Sequence, residues 1–178
     1  GVNLRALVRA TLSNFNAGSS RQGASTITQQ VVKNEYLAGL PRDGRYKVLQ
    51  TRYAALLEKQ ATKPQILERY LNTVFFGNNA YGIEAAAEIY FGVGVEKLTL
   101  VQGAFLAGLI QAPTSYDPIR HPERSRQRFT QSLNRLVVEN LMTKEEAARL
   151  AKEWPLPEVV QSVPQKSVER TYFSETVK

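Results

Sequence analysis

The chain has 178 residues, 43% hydrophobic and 22% charged, which suits one well-buried domain and argues against a disordered chain. With no cysteine, disulfides and thiolate metal sites are excluded, and the single histidine, His121, leaves little basis for a His-based metal site or a Ser-His triad. A net charge of +7 points to an anionic partner, for which nucleic acid, anionic lipid and pyrophosphate all qualify. No apolar run approaches the length needed to span a bilayer. The chain opens on Gly1-Val2-Asn3, with neither a start methionine nor a signal peptide, and reads as a piece of a longer protein.

Residues 3–16 read as a first helix: Leu4, Leu7, Val8 and Leu12 hold the helical period, Asn3 can cap it, and Arg5 and Arg9 lie on another face. Residues 14–23, with Gly18, Ser19, Ser20 and Gly23, form a loop into the stretch around which the chain is organised. That stretch is Gly23-Ala24-Ser25-Thr26-Ile27-Thr28-Gln29-Gln30-Val31-Val32-Lys33-Asn34. With Ser25 as cap, Ile27, Val31 and Val32 turn to the core while Gln30, Lys33 and Asn34 project as one donor-rich stripe. Gly23 and Ala24 leave room for a ligand at the helix N-terminus, where free backbone N–H groups favour an anion. The same spacing also fits an ordinary capped helix with a solvated polar face, so both readings stay open.

A loop at 39–45 precedes a long helix at 46–61, with Val48, Leu49, Tyr53, Leu56 and Leu57 on its buried side and Lys47, Gln50, Arg52 and Glu58 as its polar members. Thr62-Lys63-Pro64-Gln65 is a start signal, a Thr cap with proline in the first turn and Gln at the capping-box position. The helix that follows, to about Phe75, carries Leu67, Tyr70, Leu71 and Val74 inward. Residues 75–82, with aromatics, glycines and the pair Asn78-Asn79, predict a tight loop with left-handed positions. An alanine-rich helix at 84–90 ends at Phe91-Gly92-Val93-Gly94. Thr99-Leu100-Val101-Gln102 is a second capping box, opening a helix to Ile110 that is apolar nearly all round and therefore central. Residues 111–122, with Pro113, Pro118 and Pro122, are irregular; 123–140 is an Arg-rich amphipathic helix; Thr143 caps another that runs to about Trp154. After Pro155 the apolar period disappears. No strand pattern appears before that tail, so the body is mainly α, without internal repeats.

These blocks resemble the peptidoglycan glycosyltransferases, glycosyltransferase family 51, the transglycosylase domains of class A penicillin-binding proteins and their monofunctional relatives. Residues 23–34 resemble the family signature, and Ile66-Leu67-Glu68-Arg69-Tyr70-Leu71-Asn72 a second motif. Phe76-Gly77, Ala80-Tyr81-Gly82-Ile83-Glu84-Ala85-Ala86, Tyr90-Phe91-Gly92, residues 104–109, Gln111-Ala112-Pro113 and Tyr116-Asp117-Pro118 follow in the same order. The likeness runs from Gly1 to about Met142. It implies a mainly α, lysozyme-like, two-lobed domain over residues 1–154, with 155–178 a linker or the start of a following domain.

The resemblance implies polymerisation of lipid II, in bacterial cell-wall synthesis. An acceptor sugar 4-hydroxyl attacks C1 of the growing glycan strand with inversion, and undecaprenyl pyrophosphate leaves. That chemistry asks for a carboxylate to deprotonate the hydroxyl, cations and N–H groups for the departing pyrophosphate, and an apolar, membrane-facing surface for the lipid. By the resemblance Ser25, Thr26, Gln30, Lys33 and Asn34 line the donor-side groove, Lys47 stands at the lysine of a third motif, and Tyr70 and Asn72 at the Tyr and Asn of a fourth. Lys47 also reads as a solvated lysine, Tyr70 as core, Asn72 as a stabiliser of the adjoining loop, and Glu68 as the partner of an arginine. The implied setting is the extracytoplasmic face of the bacterial cell membrane, with a transpeptidase domain possible in the full protein. A divalent cation could neutralise the pyrophosphate, although the chain holds no carboxylate cluster that demands one.

Two departures stand out. The family's base is a glutamate in a Glu-Asp motif just ahead of the residues that match Gly1-Val2-Asn3, so it is absent from this sequence, and this chain alone is expected to be inactive. Where the family usually has a second functional glutamate, the pattern here reads Tyr46-Lys47-Val48-Leu49-Gln50. Gln50 can donate and accept hydrogen bonds but carries no charge. It makes a second reading possible, a catalytically inactive lipid-II-binding or scaffold domain. A nucleic-acid binder rests only on charge, with Arg120, Arg124, Arg126 and Arg128 around a helix start and no aromatic-basic platform beside them. The anionic membrane surface suits that cluster better.

Overall fold

The computed structural model describes residues 26–153. The expected helix at 3–16, Ser25 and the tail at 155–178 lie outside the described residues. Seven α-helices follow in order: α1 (Ile27–Glu35), α2 (Gly44–Gln60), α3 (Lys63–Thr73), α4 (Ile83–Phe91), α5 (Leu100–Leu109), α6 (Pro122–Val138) and α7 (Lys144–Leu150). A short hairpin, β1 (Phe75–Gly77) with β2 (Ala80–Tyr81), separates α3 from α4, and a 3-10 turn, Val95–Lys97, precedes α5. The described body is mainly α, as the sequence predicts.

Local chemistry sets the helix starts. The Thr26 hydroxyl accepts from the Gln29 amide, so Thr26 is the cap of α1 in place of the expected Ser25. Asp43 accepts from the amides of Arg45 and Tyr46, which starts α2 two residues ahead of the predicted point. The Thr62/Gln65 and Thr99/Gln102 boxes open α3 and α5 as predicted. Thr143 caps α7, which ends at Leu150; Trp154, its expected end, lies outside the described residues.

The hairpin is the element the sequence did not announce. Its strands are three and two residues long, too short for an alternating pattern to show. Asn78 and Asn79 at its tip have φ of 45° and 61°, the left-handed pair that a tight two-residue hairpin needs. The Tyr90 hydroxyl donates to the Phe76 carbonyl at 2.9 Å and accepts from the Asn78 amide at 3.1 Å, pinning the tip to α4.

Helix α5 is central: Gly103 through Leu109 are all buried, and Phe105 meets Tyr90, Phe91 and Phe129 edge-on or tilted at 5.8–6.4 Å. Gly108 lets α6 approach, since a Cβ there would stand 2.9 Å from the Ser132 hydroxyl. At the other end of the core Val31, Val32, Ile66, Leu67, Tyr70 and Leu71 join α1 to α3.

Helix α2 overturns one expectation. Leu57 is buried, but Val48 is 68% exposed, Leu49 36%, Tyr53 42% and Leu56 43%. The buried stripe is instead Gln50, Ala54 and Leu57, spaced four and three residues apart on one face. A polar residue can hold that inward position because its amide is satisfied on both sides, as described below. The larger apolar side chains are left on the surface.

Candidate active site

Helix α1 carries Gln30, Lys33 and Asn34, the residues expected to bind, and two neighbouring helices fasten it. Towards α2, the Thr28 hydroxyl donates to Glu58 at 2.7 Å, and the Gln50 amide nitrogen donates to the main-chain carbonyl of Gln29 at 2.9 Å. Towards α3, the Tyr70 hydroxyl donates to Gln30 Oε1 at 3.3 Å, and Arg69 pairs with Glu35 at 3.5 Å. Tyr36, just past the end of α1, stacks on Tyr53 of α2 at 6.4 Å and lies beneath the Arg69 guanidinium at 5.9 Å.

Between these ties, Gln30, Lys33 and Asn34 lie half-buried at i, i+3 and i+4, on one stripe. Lys33 has no hydrogen-bond or ion-pair partner among the described residues. A half-shielded ammonium flanked by an amide on either side can donate charge-assisted hydrogen bonds to an anion. Thr26 is exposed and stands at the N-terminus of the same helix. Ser25 lies outside the described residues.

Lys47 and Gln50 belong to this neighbourhood. The Lys47 ammonium donates to Gln50 Oε1 at 3.0 Å, one helical turn along α2, and Gln50 then reaches the Gln29 carbonyl on α1. Tyr70 is fully buried, and burial pushes its hydroxyl above the ordinary phenol range. Its tie to the site therefore runs through Gln30. Asn72 is exposed; its main-chain carbonyl abuts Gly82, where a Cβ would stand only 2.6 Å away.

Other expected roles change. Glu68 is exposed and has no ion pair among the described residues; the pairing in this region is made by Arg69 with Glu35. Of the four arginines near the start of α6, Arg128 is not a surface cation. Its Nε donates to the Gly108 carbonyl at 3.1 Å, it lies 5.6 Å over the Tyr116 ring, and burial lowers its affinity for its proton. Arg120, Arg124 and Arg126 stay exposed. Thr28, Gln29 and Glu58 are the residues that sequence reasoning missed as parts of this assembly. Thr28 and Glu58 stand 30 positions apart, and Gln29 takes part through its main chain.

Among the described residues no group of three or more His, Asp and Glu is placed to hold a metal ion. No described helix is long and apolar enough to cross a membrane. A surface depression of about 500 Å³ is an open hollow between the end of α6 and the start of α7, lined by Val137, Leu141 and Met142 among others, away from α1.

The sequence matches, over residues 1–137, the family model described as Transglycosylase. Penicillin-binding protein 1A of Aquifex aeolicus is 42% identical over 146 residues, 82% of this chain and 20% of that protein. Penicillin-binding protein 1A of Neisseria flavescens is 40% identical over 153 residues, 86% of this chain and 19% of that protein. The crystal structure of Penicillin-Binding Protein 1A from Haemophilus influenzae aligns with 71% of this chain and 16% of that one, at 27% identity and a TM-score of 0.45. The chain thus spans about a fifth of the length of the curated relatives it matches. The family match takes in every predicted binding residue and helices α1 to α5 entire, and on it the chain belongs to the transglycosylase family.

Proposed function

We propose that this domain is the glycosyltransferase part of a peptidoglycan synthase, polymerising lipid II into glycan strands with inversion at C1. The single observation that carries the reading is the stripe on α1: a half-buried Lys33, without an ion-pair partner among the described residues, between Gln30 and Asn34 on a helix tied to both α2 and α3. Such donors suit a leaving pyrophosphate, whose charge grows as its bond to C1 breaks. In this reading Thr26, with Ser25 before it, presents the helix N-terminus, Lys47 adds a second cation, and Tyr70 and Asn72 support the groove. The proton of the acceptor hydroxyl goes to the glutamate that the family carries ahead of the segment matched by Gly1-Val2-Asn3. The oxygen left behind bonds to C1, and undecaprenyl pyrophosphate departs with the electrons of the broken C1–O bond.

The exposed stripe Val48, Leu49, Tyr53 and Leu56, beside the exposed cations Arg45, Lys47, Arg52 and Lys59, supports a seat on an anionic membrane surface. That fits a domain on the outer face of the bacterial cell membrane, where its lipid-linked substrate lies, with a transpeptidase domain further along the full protein. The donor set does not suit a cation held by the protein. The carbonyl oxygen of Gln50 is taken up by Lys47, so a divalent ion would be carried by the pyrophosphate itself.

One observation favours a second reading, an inactive lipid-II-binding or scaffold domain: the neutral Gln50 in place of the family's glutamate. Polymerisation of labelled lipid II by the full-length protein, run beside its Gln50→Glu form, tests both. Glycan strands from the natural protein are expected; strands from the glutamate form alone would transfer the domain to the second reading.

A further inference from the structure

Position 50 is buried, with 4% of its surface exposed, and both ends of its amide are used. Oε1 accepts from the Lys47 ammonium at 3.0 Å, and Nε2 donates to the Gln29 carbonyl at 2.9 Å. That carbonyl sits inside α1, one turn before Lys33, where the helical ladder already gives it one donor. The environment thus asks one side chain for an acceptor at one end and a donor at the other. Glutamine supplies both; an ionised glutamate supplies only acceptors. A carboxylate here would keep the Lys47 contact but set its second oxygen against the Gln29 carbonyl, two acceptors without a proton between them.

We propose that Gln50 is a positioning residue: its amide fixes the Lys47 ammonium to the turn of α1 that carries Gln30 and Lys33, so that both cations address one anionic group. The inference rests on the pyrophosphate-binding reading of the α1 stripe. It assigns the neutral residue a task that a glutamate could not perform in this geometry, and it makes the departure from the family pattern part of the site.

The test uses the full-length protein with Gln50→Met, which keeps side-chain length and removes both hydrogen bonds, with Lys47→Met, and with the two combined. Lipid II in detergent micelles is the titrant, and thermal melting confirms that each variant folds. Each single change is expected to weaken binding about tenfold, the loss of one charge-assisted hydrogen bond. The double variant should bind no worse than Lys47→Met, because Gln50 works through Lys47. Losses that multiply to about a hundredfold would overturn the proposal, as would a Gln50→Glu variant binding as tightly as the natural protein. If the natural protein fails to bind lipid II, the functional reading falls, and the pairing is judged by acetylation of lysines followed by mass spectrometry. Lys47 is then expected to react several-fold faster in Gln50→Met while Lys59 and Lys63 keep their rates; an unchanged Lys47 rate would overturn the pairing itself.

Discussion

The Thr28 hydroxyl and the Glu58 carboxylate lie 2.7 Å apart and join the first turn of α1 to the last turns of α2. Thr28 is buried, so the bond is shielded from water on one side. Thr28→Val keeps the shape and removes the donor. It should cost about 1–2 kcal/mol, because Glu58 loses its partner in a partly buried setting. Chemical denaturation measures this; a change within about 0.3 kcal/mol would mean that the bond is replaced by water at no cost.

Two glycines share a φ of 84° but differ in what an added Cβ would meet. At Gly39 a Cβ meets nothing within 4 Å, so Gly39→Ala should cost only the left-handed penalty, about 1 kcal/mol. At Gly82 the added Cβ would lie 2.6 Å from the Asn72 carbonyl, a contact that backbone must yield to relieve. Gly82→Ala should therefore cost about 3 kcal/mol or more and displace the end of α3 that carries Asn72. Equal melting temperatures for the two variants would contradict this geometry.

Burial pushes the hydroxyls of Tyr70 and Tyr90 above their ordinary value of about 10. Below pH 10 both folded and unfolded chains hold these protons, and the two tyrosines add no pH dependence. Above it the unfolded chain ionises while the folded one does not, so stability falls as pH rises. Tyrosinate absorbance should show two of the eight tyrosines appearing only with unfolding, and Tyr70→Phe should remove one of them. Smooth titration of all eight near pH 10 in a folded chain would refute the burial of these rings.

The exposed stripe on α2 can be tested apart from catalysis. Leu49→Asp with Leu56→Asp should leave the melting temperature within a few degrees, since both side chains are substantially exposed. Partitioning of the full-length protein onto vesicles containing phosphatidylglycerol should drop about tenfold or more, the effect of withdrawing apolar side chains from a lipid surface. Unaltered partitioning would place the membrane contact elsewhere.

Most of the fold was legible because its punctuation is local. Thr62 with Gln65, Thr99 with Gln102, and the asparagine pair at 78–79 each act within a few residues. The inward face of α2 was not legible, because a rule that sends the larger apolar residues inside chose Val48, Leu49, Tyr53 and Leu56 over Gln50 and Ala54. Burial of Gln50 depends on a carbonyl 21 positions earlier, which no local window contains. The polar stripe of Gln30, Lys33 and Asn34 on α1 could be read from its own spacing, whereas the ties that hold that helix are contacts of long sequence separation.

Those ties have a consequence for how a ligand is met. Links from α2 and α3 reach α1 at Thr28, Gln29, Gln30 and Glu35, so the helix is held along most of its length. The backbone entropy of ordering that segment is lost when the domain folds, before any ligand arrives. On the proposed reading, an arriving anion would meet a helix already in place, and only the ends of a few side chains would have to settle.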